Sequence, residues 1–191
     1  MPLDVRRLLE ETGALLTGHF RLSSGLHSEN YVQCALLLEH PRNAKAIGAE
    51  LAQKVRALGA TKIVAPALGG VIIGYTVAEA LELPFVFTER KEGQMTLRRG
   101  FRLQQGDRVV IVEDVVTTGK STRETADVIA QHGGEVVGFA SILNRSGKAN
   151  PFDSAYEFLL ALDFATYEES ACPLCAKGLA LDAPGSRFTS K

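Results

Sequence analysis

The fold of this chain is decided by the stretch Val109-Val110-Ile111-Val112-Glu113-Asp114-Val115-Val116-Thr117-Thr118-Gly119-Lys120-Ser121. It begins with four apolar β-branched residues, which predict a strand buried on both faces. Two adjacent carboxylates, Glu113 and Asp114, stand where that strand ends. A hydroxyl-rich turn then leads into residues 121–132, where apolar side chains recur at helical spacing. Ligands of open α/β sheets bind beyond the carboxyl ends of the strands, so we expect the acids and the turn to face a binding crevice.

The turn and the acid pair suggest two halves of one ligand. A helix N-terminus fronted by hydroxyls and a glycine offers free backbone N–H groups, which suit a phosphate. Two adjacent carboxylates repel by about a kcal/mol or more near a protein surface unless something compensates. Sugar hydroxyls or a divalent cation would compensate. A ribose 5-phosphate, with a phosphate at one end and a diol in its middle, therefore fits both halves.

The stretch resembles, over its whole length, the phosphoribosyl-diphosphate (PRPP) motif of type I phosphoribosyltransferases. The resemblance implies a doubly wound, mainly parallel α/β sheet flanked by helices, with a small N-terminal hood. An ordinary strand–turn–helix whose acids cap the helix is the alternative. A Walker A loop is excluded because Gly119-Lys120-Ser121 lacks the upstream glycine. The resemblance implies that the first two of the following residues are catalytic and that all of them bind PRPP: Glu113, Asp114, Val115, Val116, Thr117, Thr118, Gly119, Lys120 and Ser121.

Composition and charge are those of an ordinary globular protein. The 191 residues are 46% hydrophobic with a net charge of −1, which fits one domain and gives no basic field for nucleic acid or membrane. Residues 1–6 lack a signal-peptide layout, and no apolar run approaches the ~18 residues of a membrane span. Three cysteines do not make a disulfide framework, which agrees with a reducing compartment. We therefore predict a cytoplasmic protein.

The order of the predicted elements favours one doubly wound domain. Asp4 caps a short helix that runs to Thr12, and residues 14–38 alternate apolar pairs with turn residues, which predicts short antiparallel strands. Pro41 opens a helix that Gly59 ends. Strands and helices then alternate as in right-handed βαβ units. The predicted divisions are an N-terminal helix with hood strands (1–40), a PRPP-binding α/β core (41–165) and an irregular C-terminal tail (166–191).

A second turn follows the preceding buried strand in the same style. Its two glycines would let backbone N–H groups approach an anion closely at the start of a helix. A plain strand-to-helix turn is the alternative. The resemblance to phosphoribosyltransferases implies a non-proline cis peptide at the start of this turn and diphosphate binding by Ala67, Leu68, Gly69 and Gly70.

The most basic segment of the chain is Glu89–Arg102, which is interrupted by two glycines. Charge runs are usually solvated faces. This run, however, follows a strand end that should open onto the crevice, and its glycines would let it fold over an anion and exclude water. It resembles the mobile loop of orotate phosphoribosyltransferases, which reaches the neighbouring subunit's site in a dimer. The resemblance implies a homodimer with a shared active site and gives catalytic, PRPP-binding roles to Arg90 and Lys91.

The same segment departs from the family pattern at two positions. The best-known members carry a Lys and a His in a K-x-H arrangement, where this chain has Gln94 and Thr96. Which residue assists the leaving group is therefore open, and Arg98 or Arg99 is the substitute to consider.

Residues 18–32, GHFRLSSGLHSENYV, resemble the N-terminal signature of orotate phosphoribosyltransferases, G-x-F-x-L-x-S-G followed by S-x-x-Y. In that family the S-G turn and the aromatic residue pack over the pyrimidine. Asn144-Arg145 matches an acid–Arg pair whose guanidinium grips the base carboxylate through two parallel hydrogen bonds. Ser23 and Asn144 replace the usual Lys and Asp, and a surface role is the alternative for Arg145. The residues implied to bind orotate are Ser24, Gly25, Tyr31, Thr117 and Arg145.

Cys172-Pro173-Leu174-Cys175 has the C-x-x-C spacing that supplies half of a tetrahedral zinc site. No second Cys or His pair stands near it in the sequence. The histidines are scattered without ligand spacing, at His19, His27, His40 and His132. We therefore predict a structural turn and no protein metal site, with a metal or redox role as the alternatives.

The resemblance covers roughly residues 1–165 and implies orotate phosphoribosyltransferase activity. Such an enzyme transfers ribose 5-phosphate from PRPP to orotate in pyrimidine (UMP) biosynthesis, with Mg²⁺ bound mainly through PRPP and no nucleic-acid or membrane partner. One alternative is a phosphoribosyltransferase for another base. The other is a PRPP-sensing regulatory protein, which a fused DNA-binding domain or a broad basic face would mark, and the sequence displays neither.

Overall fold

The computed structural model describes residues 3–22 and 24–184. Met1, Pro2, Ser23 and the last seven residues, 185–191, lie outside the described part. The helices are α1 (Val5–Glu11), α2 (Cys34–Leu38), α3 (Pro41–Val55), α4 (Gly69–Leu81), α5 (Lys120–Gln131) and α6 (Pro173–Ala176). The strands are β1 (Leu15–Arg21), β2 (His27–Val32), β3 (Lys62–Pro66), β4 (Phe85–Lys91), β5 (Gln94–Leu97), β6 (Arg108–Val116), β7 (Glu135–Asn144), β8 (Tyr156–Ala161) and β9 (Thr166–Tyr167).

The main sheet has six strands in the order β5-β4-β3-β6-β7-β8. All neighbouring pairs are parallel except β4 and β5. The start of β6, residues 109–112, is fully buried at the middle of the sheet, because alternate side chains pack into cores on the two faces. Residues of α3 and α4 join the core on one face, and α5 contributes Ile129 to the other. The predicted doubly wound α/β architecture is confirmed.

The hood is a separate three-stranded sheet in the order β1-β2-β9. Asp4 caps α1 as predicted, since its side chain accepts a hydrogen bond of 3.0 Å from the backbone N–H of Arg7. The strands β1 and β2 form the predicted antiparallel hairpin. Residues 34–38, however, form helix α2 where extended structure was predicted, and Cys34 and Leu37 bury against the main core. Tertiary burial of this apolar run outweighed its local pattern.

The C-terminal tail is more ordered than predicted. Its described part includes β9, a single 3-10 turn at Glu169–Ala171 and α6. β9 pairs antiparallel with β2, so the tail completes the hood sheet. The backbone N–H of Arg21 also donates to the carbonyl of Asp182 at 2.8 Å. The predicted boundary at residue 166 therefore divides two parts of one sheet.

The basic segment 89–102 is an ordered hairpin over much of its length. β4 and β5 pair antiparallel around a two-residue turn, Glu92-Gly93, in which both residues have positive φ (52° and 83°). Such a turn matches the right-handed twist of the flanking strands. The hairpin packs against α5. The predicted open loop is thus replaced by a projecting β-ribbon, which carries Lys91 and Gln94 at its tip.

Close packing of α3 on α4 depends on Gly48. A Cβ added there would lie 2.4 Å from Oγ1 and 2.8 Å from the backbone carbon of Thr76. We expect Gly48→Ala to force the helices apart and to lower the free energy of unfolding by about 1–3 kcal/mol in urea denaturation. Gln53→Ala, at an exposed position of the same helix, should change it by less than about 0.5 kcal/mol. Equal stability of the two variants would argue against this tight contact.

Candidate active site

The two carboxylates lie near the carboxyl end of β6. Glu113 is only 8% exposed, and Asp114 is partly buried. The backbone N–H of Asp114 donates to Oε1 of Glu113 at 3.3 Å, and that of Val115 donates to Oδ1 of Asp114 at 2.8 Å. Among the described residues, no Lys or Arg forms an ion pair with either acid. Two acids therefore share a largely buried position without a cation from the described chain.

Burial controls the ionisation of this pair. It raises the pKa of Glu113 well above its usual range, and the neighbouring Asp114 carboxylate raises it further. Burial also raises the pKa of Asp114, although a hydrogen bond with the Glu113 side chain and backbone N–H groups oppose that rise. A perturbed acid pair at the carboxyl edge of a parallel sheet is typical of a functional site.

The glycines of the turn after β3 let it approach the acids. A Cβ at Gly69 would lie 2.7 Å from both carboxylate oxygens of Asp114, and one at Gly70 would lie 3.1 Å from Oε1 of Glu113. The Ala67–Leu68 peptide is cis, as predicted. The turn leads directly into α4, so the start of this helix lies close to the acid pair.

The turn after β6 also needs its glycine. Gly119 has a φ of +71° and directly precedes α5, and a Cβ there would lie 2.9 Å from Cε1 of Phe152. The backbone N–H of Lys120 donates to Oγ1 of Thr118 at 3.3 Å. Both threonines, Thr117 and Thr118, are exposed. This open helix N-terminus suits an anion.

Arg123 is a positioning residue that the sequence analysis missed. Its guanidinium donates to the carbonyls of Thr118 and Pro151, each at 2.6 Å, and lies 5.4 Å from the centre of the Phe152 ring. It therefore ties the turn after β6 to the loop before β8. A basic residue one turn into a helix that follows a glycine turn is the only sequence signal for this role.

Arg145 directly follows β7, the strand that pairs with β6. Its backbone N–H donates to the carbonyl of Val116 at 2.7 Å, and its guanidinium lies 4.6 Å from the centre of the Phe164 ring. Its buried Nε has no hydrogen-bond partner among the described residues. Burial lowers the pKa of Arg145. Burial also raises the pKa of Tyr31, and the Asp114 carboxylate adds to that rise, which places Tyr31, Asp114 and Arg145 in one electrostatic neighbourhood.

The hood turn and the loop after β7 carry the other residues of interest. Ser24 and Gly25 form the exposed turn between β1 and β2, where Gly25 has a φ of +90°. Asn144 orders the loop after β7, because its side chain accepts from the backbone N–H of Ser146 at 3.0 Å and donates to the carbonyl of Lys148 at 2.8 Å. Asn144 thus supports the backbone beside Arg145. Contact of Ser24, Gly25 and Thr117 with a base stays a prediction.

The basic residues of the hairpin are mostly paired within the chain. Arg90 forms an ion pair with Glu124 of α5 and donates to the carbonyl of Gly93. Arg98 and Arg99 pair with Glu89 at 3.5 and 3.0 Å. These contacts stabilise the β-ribbon and its packing on α5, and none of them involves Glu113 or Asp114. The roles of Arg90 and Lys91 in catalysis stay predictions.

The prediction that the histidines are scattered away from the Cys pair is wrong in three dimensions. His19 and His27 of the hood lie against Cys172 and Cys175 of the tail, and one ligand atom from each lies within 4.8 Å of the others. The sequence hid this cluster because His19 and Cys172 are 153 positions apart.

Comparison with known proteins agrees with this geometry. Residues 35–166 match the phosphoribosyl transferase domain family. The orotate phosphoribosyltransferase of Carboxydothermus hydrogenoformans is 49% identical over 97% of this chain and 98% of its own length. That of Thermotoga maritima is 46% identical over 96% and 98%, respectively. The crystal structure of orotate phosphoribosyltransferase from Aeropyrum pernix superposes with a TM-score of 0.69 at 24% identity, covering 83% of this chain and 94% of that one.

Other solved structures share the fold with different named activities. An adenine phosphoribosyltransferase from Thermoanaerobacter pseudethanolicus has a TM-score of 0.61 at 18% identity, covering 70% of this chain and 88% of that one. Fold alone therefore does not decide the base. No helix within residues 3–22 and 24–184 combines the length and apolar character needed to span a membrane.

Neutralising Glu113 should stabilise the folded protein at neutral pH. Because the folded pKa lies above the ordinary value of 4.5, the ionised form opposes folding above that value, and the cost disappears as pH falls below it. We expect Glu113→Gln to raise the Tm at pH 7.5 and to raise it progressively less as the pH approaches 4. Calorimetry against Glu10→Gln, at an exposed position on α1, provides the control. A gain that does not vary with pH would count against this origin.

Proposed function

This chain belongs to the phosphoribosyl transferase family, among its orotate phosphoribosyltransferases, and we propose that it joins orotate to the ribose 5-phosphate of PRPP. A ring nitrogen of orotate loses its proton and bonds to C1 of the ribose while the bond from C1 to the diphosphate oxygen breaks, giving orotidine 5′-monophosphate, diphosphate and a proton. The observation that carries the proposal is the near full-length similarity to enzymes of that name. The acid pair between two anion-binding turns supports it.

The chemistry requires positioning and charge stabilisation rather than a nucleophile. Positive charge develops on the ribose as the C1–O bond breaks, and negative charge develops on the diphosphate. We assign Glu113 and Asp114 to the 2- and 3-hydroxyls, where their charge also favours a cationic ring. Two turns hold the ends of the substrate: residues 117–121 bind the 5-phosphate, and residues 67–70 bind the diphosphate.

The residues present also fit a magnesium ion bound mainly through the substrate. Both oxygens of Asp114 face the turn that we assign to diphosphate, because a Cβ at Gly69 would lie 2.7 Å from each. Oxygen-rich, hard ligands of this kind favour Mg²⁺. When bound, the ion would offset the charge of the diphosphate and orient it. The raised pKa values of the acids are consistent with a site built to receive cationic or hydroxyl groups.

Selectivity for orotate is assigned to the hood side of the crevice. The planar guanidinium of Arg145 is held against Phe164, and its buried Nε has no hydrogen-bond partner among the described residues, which suits it to a planar carboxylate. Tyr31, with the turn at Ser24 and Gly25, would cover the pyrimidine ring. Thr117 would reach the base from the other side.

The leaving diphosphate requires positive charge, which we assign to Arg90 and Lys91 of a second subunit. Within one chain Arg90 is already paired with Glu124, and Lys91 is exposed near the hairpin tip. A homodimer is favoured by an apolar face on α4. Leu68, at the end of the diphosphate turn, is 86% exposed, and Ile72 and Tyr75 of α4 are 46% and 61% exposed; their spacing of four and three residues places them on one side of the helix.

We also place the reaction in the cytoplasm. All three cysteines are within the described residues and none forms a disulfide, although Cys172 and Cys175 are close together. Free thiols at this spacing are typical of a reducing compartment.

The base can be tested with a panel of substrates. Purified protein with Mg²⁺ should cause PRPP-dependent loss of orotate absorbance.

We expect Asp114→Asn to lower kcat by about 10²–10³-fold with both substrates saturating. Arg145→Ala should mainly raise the KM for orotate, by about 10- to 100-fold, because it removes a charge-assisted hydrogen-bond partner.

Arg42→Ala, on the exposed surface of α3, is the matched control and should change neither constant. Turnover of hypoxanthine or uracil without turnover of orotate would overturn the choice of base. Equal effects of Arg145→Ala on the KM of both substrates would overturn the assigned role of that residue.

The dimer can be tested by charging its proposed interface. Ile72→Glu should give a monomer in sedimentation and lower activity by more than about tenfold, because the partner's cations are withdrawn from the diphosphate. Ala130→Glu adds the same charge to an exposed position of α5 and should remain a fully active dimer. A fully active Ile72→Glu monomer would contradict the shared site.

A further inference from the structure

The hood and the tail meet in a compact group of four side chains outside the active site, which we call the His–Cys cluster: His19, His27, Cys172 and Cys175. His19 Nε2 lies 3.0 Å from His27 Nδ1, 3.6 Å from Cys172 Sγ and 3.7 Å from Cys175 Sγ. His27 Nδ1 lies 3.3 Å from Cys175 Sγ. His19, His27 and Cys172 are buried, whereas Cys175 is exposed and leaves a path from solvent.

An irregularity in β1 places both histidines on the same face of the hood sheet. Thr17 pairs with Asn30 but Phe20 pairs with Ser28, so β1 contains one extra residue between them. In an unbroken register His27 would pair with Phe20 and point away from His19. The extra residue pairs His27 with Arg21 instead, which shares a face with His19. The bulge therefore brings the two histidines of the cluster together.

A contact with the C-terminal tail determines the tautomer of His19. Its Nδ1 lies 2.9 Å from the carbonyl oxygen of Leu179, and a carbonyl can only accept, so Nδ1 carries the proton. The lone pair is then on Nε2, which is the atom that faces His27 and both sulfurs. A ring nitrogen that donates to a backbone carbonyl while the other faces outward is the usual arrangement of a metal-bound histidine.

We propose that the His–Cys cluster binds one structural Zn²⁺ ion. A tetrahedral zinc with ordinary bond lengths separates its ligand atoms by about 3.3 Å for two nitrogens, 3.6 Å for nitrogen and sulfur and 3.8 Å for two sulfurs. Four of the six pairs of ligand atoms lie 3.0 to 3.7 Å apart, close to these separations, and all six pairs lie within 4.8 Å. Two thiolates and two imidazoles form a closed ligand set, which is typical of structural rather than catalytic zinc.

Such an ion would tie the last described segment of the chain to its first hairpin. Backbone bonds already join these parts, since Asp182 N–H donates to the His19 carbonyl at 2.8 Å and β9 pairs with β2. Tyr31 lies on β2, so zinc would also stiffen the strand that we assign to the pyrimidine. The ion takes no part in the reaction. This proposal depends on the fold of the hood and does not require the base to be orotate.

The direct test is to count zinc in the full-length protein. Reduced, purified chain is incubated with excess ZnCl₂, desalted and analysed by elemental mass spectrometry. We expect one zinc per chain. Co²⁺ in place of zinc should give the intense visible bands of a tetrahedral thiolate complex. A zinc content near zero, or a Co²⁺ spectrum typical of octahedral oxygen ligands, would overturn the proposal.

Matched variants locate the ion. Cys175→Ser and His27→Ala should each weaken zinc affinity by more than about tenfold. A loss of that size is already typical when a residue that only hydrogen-bonds to a metal ligand is replaced. His40→Ala changes a histidine outside the cluster and should keep one zinc per chain. Cys175→Ser is exposed and is expected to fold, so loss of zinc there is not a loss of fold. Unchanged zinc content in both cluster variants would place the metal elsewhere and overturn the assignment.

A second readout follows the consequence for the hood. Zinc removal by a chelator should lower the Tm and accelerate hydrogen exchange in residues 15–32 and 166–179, with no comparable change in residues 109–116. A Cys172–Cys175 disulfide that persists in the presence of a thiol reductant and zinc would overturn the metal proposal in favour of a redox pair. Loss of orotate turnover by itself bears on the proposed function and not on the zinc site.

Discussion

The central constraint of this structure is the burial of two adjacent carboxylates at the end of its middle strand. Glu113 and Asp114 lie beside each other with no cation from the described chain, and burial raises both pKa values. Glycines shape the two turns near the pair. Gly69 and Gly70 bring the turn after β3 within contact distance of the acids, and Gly119, with a positive φ, forms the turn that leads into α5. The pair is unfavourable for the protein alone, because the like charges repel and burial penalises their ionised forms.

Much of this could be predicted from the sequence because the signals were local. The β-branched run at 109–112, the acids and the T-T-G-K-S turn are contiguous, so periodicity and turn chemistry placed them correctly. The Ala67-Leu68-Gly69-Gly70 turn follows the same logic, and its cis peptide agrees with the family resemblance. Arg145 was placed at a strand end, where the structure has it beside the crevice.

What the sequence could not provide were contacts between distant segments. Helix α2 was missed because its five residues are too short for a helical period and are set by burial. The hairpin at 89–97 was hidden by its charges, which are typical of an open loop, although Glu92-Gly93 is a turn signal. The His–Cys cluster depends on a one-residue bulge and on pairing across most of the chain, neither of which leaves a local pattern.

The composite hood also affects the order in which the protein can be completed during synthesis. The hairpin of β1 and β2 is translated before the strands of the main sheet, whereas the third hood strand, β9, and the two cysteines are translated after them. Residues 62–161 can assemble the parallel sheet before then, because its strands pair only with one another. The nascent chain therefore carries an unfinished edge on β2 until β9 is translated, and the hood sheet is completed after the main sheet.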